Sequence, residues 1–317
     1  MHYDIFNGDA DGIFALHQYR QHNPVVNTKR ITGVKRDIRL LKKVENVKNV
    51  TLTVFDISLD SNRAPLTTIL AGGNRVDYFD HHFAGDIPDS PGLHTTINPS
   101  AETCTSIIVN NALQGKSTLW AICGAFGDNL HQAAALLAKR ESLSPENMSK
   151  LRELGELFNY NGYGATIEDL HFHPEDLYRA IQPYNSPLKF IADSDKLQTL
   201  RDGFIEDMAH AKDQVKLDVP GKNRIYSFPD KPWARRVSGV FSNLKAREKT
   251  EAAHAIITEN HDTTLTISVR APLNDKRDAD TLCKAFPTGG GRSAAAGINN
   301  LPAEQLESFI DSFLKIY

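Results

Sequence analysis

The stretch Arg75-Val76-Asp77-Tyr78-Phe79-Asp80-His81-His82 is an apolar run that ends in a carboxylate and two imidazoles. Its aromatic and β-branched residues predict a strand, so the polar triplet falls where that strand stops. A carboxylate beside two imidazoles offers oxygen and nitrogen ligands suited to a divalent metal that activates water. Alone, such a triplet is equally an N-cap aspartate followed by surface histidines. Its meaning depends on whether other carboxylates reach the same place.

Upstream, Val50-Thr51-Leu52-Thr53-Val54-Phe55 repeats the pattern and ends in Asp56. Tyr3-Asp4-Ile5-Phe6 reads as a short strand and residues 13–19 as a helix. Between them, the glycines of Asn7-Gly8-Asp9-Ala10-Asp11-Gly12 permit a tight turn, which puts Asp9 and Asp11 in the loop after the first strand. A strand near 30–34, helices over 37–44 and 63–71 and the turn Gly72-Gly73-Asn74 continue the alternation. This spacing predicts an α/β fold with a doubly wound parallel sheet. Ligands of such sheets bind beyond the carboxyl ends of the strands. Asp9, Asp11, Asp56 and Asp80 therefore converge on one edge, where four carboxylates repel one another unless cations neutralise them. Asp128 is a fifth candidate; it closes the apolar run 119–126, whose periodicity leaves helix and strand open.

With 317 residues, 40% hydrophobic and 24% charged, the chain is long enough for two cores. A net charge of -3 argues against a protein that coats long nucleic acid. Residues 220–317 carry net +3 and the remainder net -6, an acidic lobe for metal beside a mildly basic one for an anion. No stretch is long and apolar enough to span a bilayer, and Met1-His2-Tyr3-Asp4 lacks the features of a signal peptide, so a cytoplasmic protein is expected. Cys104, Cys123 and Cys283 have no paired spacing, which suggests neither a thiolate zinc site nor a disulfide framework.

Farther along, helices are expected over 105–113, 130–140 and 145–158, a turn over 159–164, and a surface segment at His171-Phe172-His173. The expected division is a catalytic domain over 1–190, a helical connector and linker over 191–222, and a second, smaller α+β domain over 223–317. Within the last, Gly289-Gly290-Gly291 would let backbone amides approach an anion, with a helix starting near Ser293 aiming its dipole at the same point.

In the order and spacing of these residues the chain resembles the DHH phosphoesterase family. Asp9-Ala10-Asp11-Gly12 is similar to its first motif, Asp56 to its second, Asp80-His81-His82 to its third and Asp128 to its fourth. Gly289-Gly290-Gly291-Arg292-Ser293-Ala294-Ala295-Ala296-Gly297 resembles the signature of the DHH-associated domain, and Ser268-Val269-Arg270 the strand bearing its substrate-binding arginine. The resemblance spans residues 3 to 297. It implies two divalent metal ions, manganese in preference to magnesium, with Asp9 and Asp11 on opposite metals, Asp56 bridging, and His81 and Asp128 completing the set. It further implies that Asp80 orients a histidine, that His82 meets the scissile phosphate or the leaving oxygen, and that water activated by the metals attacks phosphorus. Arg270, Gly289, Gly290, Gly291 and Arg292 would bind the substrate across an inter-domain cleft.

The chain departs from the family pattern at three positions. Many members have a histidine where this chain has Ile5, and others an aspartate where it has Asn7, so one metal is held more weakly or Asn7 is a neutral ligand. Arg292 replaces the histidine of the signature and adds charge for a terminal phosphate or a base edge. The function implied is a phosphodiesterase releasing mononucleotides from short 5′-phosphorylated linear dinucleotides of the pGpG or nanoRNA type, as in cyclic dinucleotide turnover. Neither long nucleic acid nor a membrane is an expected partner, and a homodimer is compatible with the reading. The competing readings are a RecJ-like single-strand exonuclease, a manganese pyrophosphatase and a non-catalytic nucleotide-binding sensor.

Overall fold

The computed structural model describes residues 1–214, 216–217 and 219–317. Val215 and Asp218, both in the expected connector, lie outside the described residues. The backbone divides into two compact units, Met1–Asp202 and Gly203–Tyr317.

The first unit is built on five parallel strands, β1 (His2–Phe6), β2 (Thr28–Ile31), β3 (Thr51–Phe55), β4 (Arg75–Asp80) and β5 (Leu93–Ile97), in the order β2-β1-β3-β4-β5. Register sets the two faces. Tyr3, Leu52 and Val76 lie in one row and Ile5, Val54 and Tyr78 in the next, and both rows are buried under Leu59, Leu66 and Ile69 of α2 (Leu59–Ala71). Phe6, Phe55 and Phe79 line the opposite face. There α1 (Ala10–His22) lays Tyr19 against Phe55 and Phe79 at 5.5 and 5.1 Å, and its Arg20 pairs with buried Asp4 at 2.6 Å. Helices on both faces are what a parallel sheet requires.

The remaining helices of this unit are α3 (Thr105–Ala112), α4 (Thr118–Gly127), α5 (His131–Arg140), α6 (Pro145–Gly162), α7 (Pro174–Ile181) and α8 (Pro187–Asp193). The next helix, α9 (Asp195–Lys212), carries the division between the units. The apolar run 119–126 is helical. It shows no amphipathic period because α4 is buried from Trp120 through Gly127. Two readings need correction, and one strand went unread. The helix expected over 37–44 is a single 3-10 stretch, Leu40–Val44. Strand β5 had no strong signal, being a half-buried edge strand, Leu-His-Thr-Thr-Ile. The turn expected over 159–164 is largely the last turn of α6.

The second unit carries β6 (Lys216–Leu217), β7 (Arg224–Phe228), β8 (His254–Glu259), β9 (Leu265–Arg270), β10 (Gly289–Arg292) and β11 (Ala295–Leu301), ordered β10-β11-β9-β8-β7-β6. Among the described residues of this sheet, only β7 and β8 run parallel. One face takes α10 (Pro232–Glu248), whose Phe241 meets Tyr226 and Phe228 at 5.2 Å. Buried Leu265, Ile267 and Val269 share a core with α11 (Ala279–Lys284) and with Phe309 and Phe313 of α12 (Leu306–Ile316). This is the small α+β unit that the sequence led us to expect. The helix expected from Ser293 is absent, however, because Ser293 and Ala294 turn β10 into β11. Three alanines favour a helix locally, but β11 pairs with β9 and β10, and that pairing overrides the propensity. No helix among the described residues is long and apolar enough to cross a membrane.

Candidate metal centre

The carboxyl ends of β1, β3 and β5 extend one residue past the strands: Asn7, Asp56 and Asn98 donate backbone N–H groups to the carbonyls of Phe55, Phe79 and Asp80. This locks the residues that follow. Asp9 caps α1, its Oδ1 accepting from Gly12 N at 3.1 Å. A Cβ on Gly12 would stand 2.3 Å from the Asn7 carbonyl, so the turn into α1 needs glycine there. Asp11 therefore lies inside the first helical turn and not in the loop. Both its oxygens accept from the start of α3, Oδ2 from Thr105 N at 2.7 Å and Oδ1 from Ser106 N at 2.8 Å. Asp56 has φ 58°, a left-handed conformation that strains a non-glycine residue at the strand end. Its Oδ1 accepts from Thr105 Oγ1 at 3.2 Å.

Both histidines are oriented through Nδ1. His81 Nδ1 donates to the Thr103 carbonyl at 3.2 Å, leaving Nε2 3.4 Å from Asp56 Oδ1 and 3.8 Å from Asp128 Oδ2. Asp80, fully buried, accepts from His82 Nδ1 at 2.7 Å, so the more exposed His82 offers its Nε2 outward. One ligand atom from each of Asp11, His81 and Asp128 lies within 4.8 Å of the others, and Asp56, His81 and His82 form another such group.

Lys35 gave no signal in the sequence. Its Nζ stands 2.5 Å from Asp9 Oδ2, 2.8 Å from Asn159 Oδ1 of α6 and 3.8 Å from Asp128 Oδ1. Asn7, expected as a neutral ligand, is engaged locally: its Nδ2 donates to the Lys35 carbonyl at 3.1 Å and its Oδ1 accepts from Asp9 N at 3.3 Å. Ile5 belongs to the core beside Val54 and takes no part.

The electrostatics favour cations. Burial, and then the charges of Asp9 and Asp11, push the Asp56 carboxyl well up. Burial raises Asp128 to about 6, with Lys35 opposing and Asp11 adding to the rise. Burial alone would depress His81, yet the hydrogen bond and charge of Asp56, with Asp11 and Asp128, raise it to about 10. Burial would raise Asp9 and depress Lys35; their mutual attraction outweighs it, lowering Asp9 and raising Lys35 well above its usual value. Oxygen and imidazole donors fit a hard divalent ion. The neighbouring Cys104 thiol is pushed well up by burial and by the charges of Asp11 and Asp128, so it supplies no thiolate.

In the second unit, Arg292 and Arg270 both face Ala295 of β11 from opposite sides, which puts them in one cross-strand row. Arg270 donates to Asn243 Oδ1 at 2.7 Å and Ser268 Oγ at 3.1 Å, while Arg292 is exposed. The glycine triplet is a strand and not an amide nest. A Cβ on Gly289 would strike the Cys283 carbonyl and one on Gly291 the Ala296 backbone, so these two glycines serve close packing. Gly290 faces open space.

No protein-family model and no curated protein matches the sequence. Among solved structures, the chain is similar to the exonuclease RecJ bound to manganese, at 14% identity and a TM-score of 0.64 over 99% of this chain and 89% of that one. The manganese complex of RecJ from Thermus thermophilus gives 14% and 0.62, and this chain spans about half its length, 51%. A pGpG-specific phosphodiesterase, PggH, from a Vibrio species gives 11% and 0.57, with 100% of this chain and 98% of that one covered. The chain thus has the fold of RecJ and PggH, the fold that its resemblance to the DHH phosphoesterases led us to expect.

Proposed function

We propose that the chain is a metal-dependent phosphodiesterase that hydrolyses short 5′-phosphorylated linear dinucleotides to mononucleotides. The observation that carries this reading is the convergence of Asp11, Asp56, His81 and Asp128 beside an Asp80–His82 pair. A divalent ion held by the first four would act as a Lewis acid, activating water and neutralising phosphoryl charge. Asp80 fixes the tautomer of His82 by accepting from Nδ1. When the ring is doubly protonated, with Nδ1–H held by Asp80, the outward Nε2–H is placed to give its proton to the leaving oxygen and Nδ1–H stays on Asp80. The end-to-end likeness to PggH supports a short substrate. Arg270 and Arg292 supply two cationic groups in one row for its phosphate or base edge.

The test compares a 5′-phosphorylated diguanylate, a cyclic dinucleotide and a long single-stranded oligonucleotide, each with manganese and with chelator, by chromatography of the products. Manganese-dependent mononucleotide release from the linear dinucleotide is expected, with a loss of about 10²- to 10⁴-fold in His82→Ala. Unchanged turnover in Asp56→Ala would remove the site from the chemistry. The similarity to RecJ favours a second reading, single-strand exonuclease, and preferential degradation of the long strand would select it.

A further inference from the structure

Lys35 is held in the centre by its main chain as well as its side chain. Its N–H donates to the Gly162 carbonyl at 2.8 Å, and its own carbonyl accepts from Asn7 Nδ2. The side chain is only 25% exposed. Its ammonium, which carries three donors, meets oxygens of Asp9, Asn159 and Asp128. Tyr163 adds its ring face, 5.4 Å from Nζ.

This arrangement commits Asp9. Unlike Asp11, whose oxygens accept only from neutral backbone N–H groups, Asp9 faces a cation through Oδ2, and it belongs to neither ligand group of the centre. The two groups also share His81. With its Nδ1 spent on the Thr103 carbonyl, His81 has one nitrogen for a metal, so both groups describe the surroundings of a single ion.

We infer that this centre takes one divalent cation, on Asp11, Asp56, His81 and Asp128, and that the Lys35 ammonium permanently fills the position a second cation would take beside Asp9. The inference rests on the reading of the site as a metal-dependent phosphodiesterase and defines its metal content. Asn7 thereby has a role: as a neutral residue that grips the Lys35 carbonyl, it keeps the lysine in register with Asp9.

Manganese is titrated into the purified full-length protein, the bound ion is counted by equilibrium dialysis, and its electron paramagnetic resonance spectrum is recorded. One ion per chain is expected, with the hyperfine-split signal of an isolated ion. Lys35→Ala should gain a second ion and a spin-coupled signal, whereas Lys35→Arg should keep one. Two coupled ions in the unsubstituted protein, or a single ion in folded Lys35→Ala protein, overturn the inference. Asp9→Asn gives an independent check: the ion should be retained, and its loss would make Asp9 a ligand and overturn the inference. Hydrolysis is assayed on the same samples. Two ions with chelator-sensitive hydrolysis sink the single-ion inference alone. One ion without hydrolysis of any of the three substrates sinks the phosphodiesterase reading while the metal count stands.

Discussion

His17 lies in α1 with its ring edge-on to Trp120, centroids 4.5 Å apart, and its Nε2 donating to the Tyr184 carbonyl at 3.0 Å. Burial depresses its pKa to about 4, against the opposing pull of that hydrogen bond. Between the ordinary value of 6.5 and about 4, the unfolded chain binds a proton at this residue that the folded chain does not. Stability therefore falls as pH drops through that window, by about 3 kcal/mol at its lower end. Denaturant unfolding between pH 7 and pH 4 should show this loss, and His17→Gln should flatten it; an unchanged slope in the variant would assign the loss elsewhere. At the same scale, Asp9, Asp11, Asp56, Asp80, His81, His82 and Asp128 were legible because each follows an apolar run. Lys35 was not, since it reaches Asp9 across 26 residues through a side chain whose neighbours carry no pattern.

Helix α4 bears Asp128 at its end, and its approach to α3 is set by Gly124. A Cβ there would stand 2.2 Å from Ser106 Oγ and 3.2 Å from Asp11 Oδ1. Ser106 donates from both N and Oγ to Asp11, so pressure on this serine is pressure on a proposed ligand. Gly124→Ala should cost about 1–3 kcal/mol of stability. It should also weaken manganese binding, and isothermal titration of the folded variant reads the second effect separately from the first. Strands β1, β3 and β4 were legible through their apolar runs. What escaped was the partly buried edge strand β5, the all-round burial of α4, and the β10–β11 hairpin written in glycine and alanine. In each case tertiary surroundings, and not local preference, decide the structure.

At the scale of the whole molecule, each unit has its own sheet and its own apolar cluster, and their division falls within α9. Every proposed metal ligand belongs to the first unit. A ligand that binds only the native form of one unit stabilises that unit, by about 2.7 kcal/mol at 100 times its Kd. Calorimetry should accordingly resolve two transitions, of which manganese raises one; a single transition that shifts as a whole would mean the units melt together. The two-unit plan was visible in the sequence as a change from strand–helix alternation to a mixed pattern. Finally, the proposed ligands come from α1 and from just beyond β3, β4 and α4, spread from Asp11 to Asp128 and joined only by the finished sheet. Pairings of such long sequence separation close late in folding. An ion bound there would therefore not act as a nucleus: it would lengthen the lifetime of the folded first unit by slowing its unfolding and leave the refolding rate where the topology sets it.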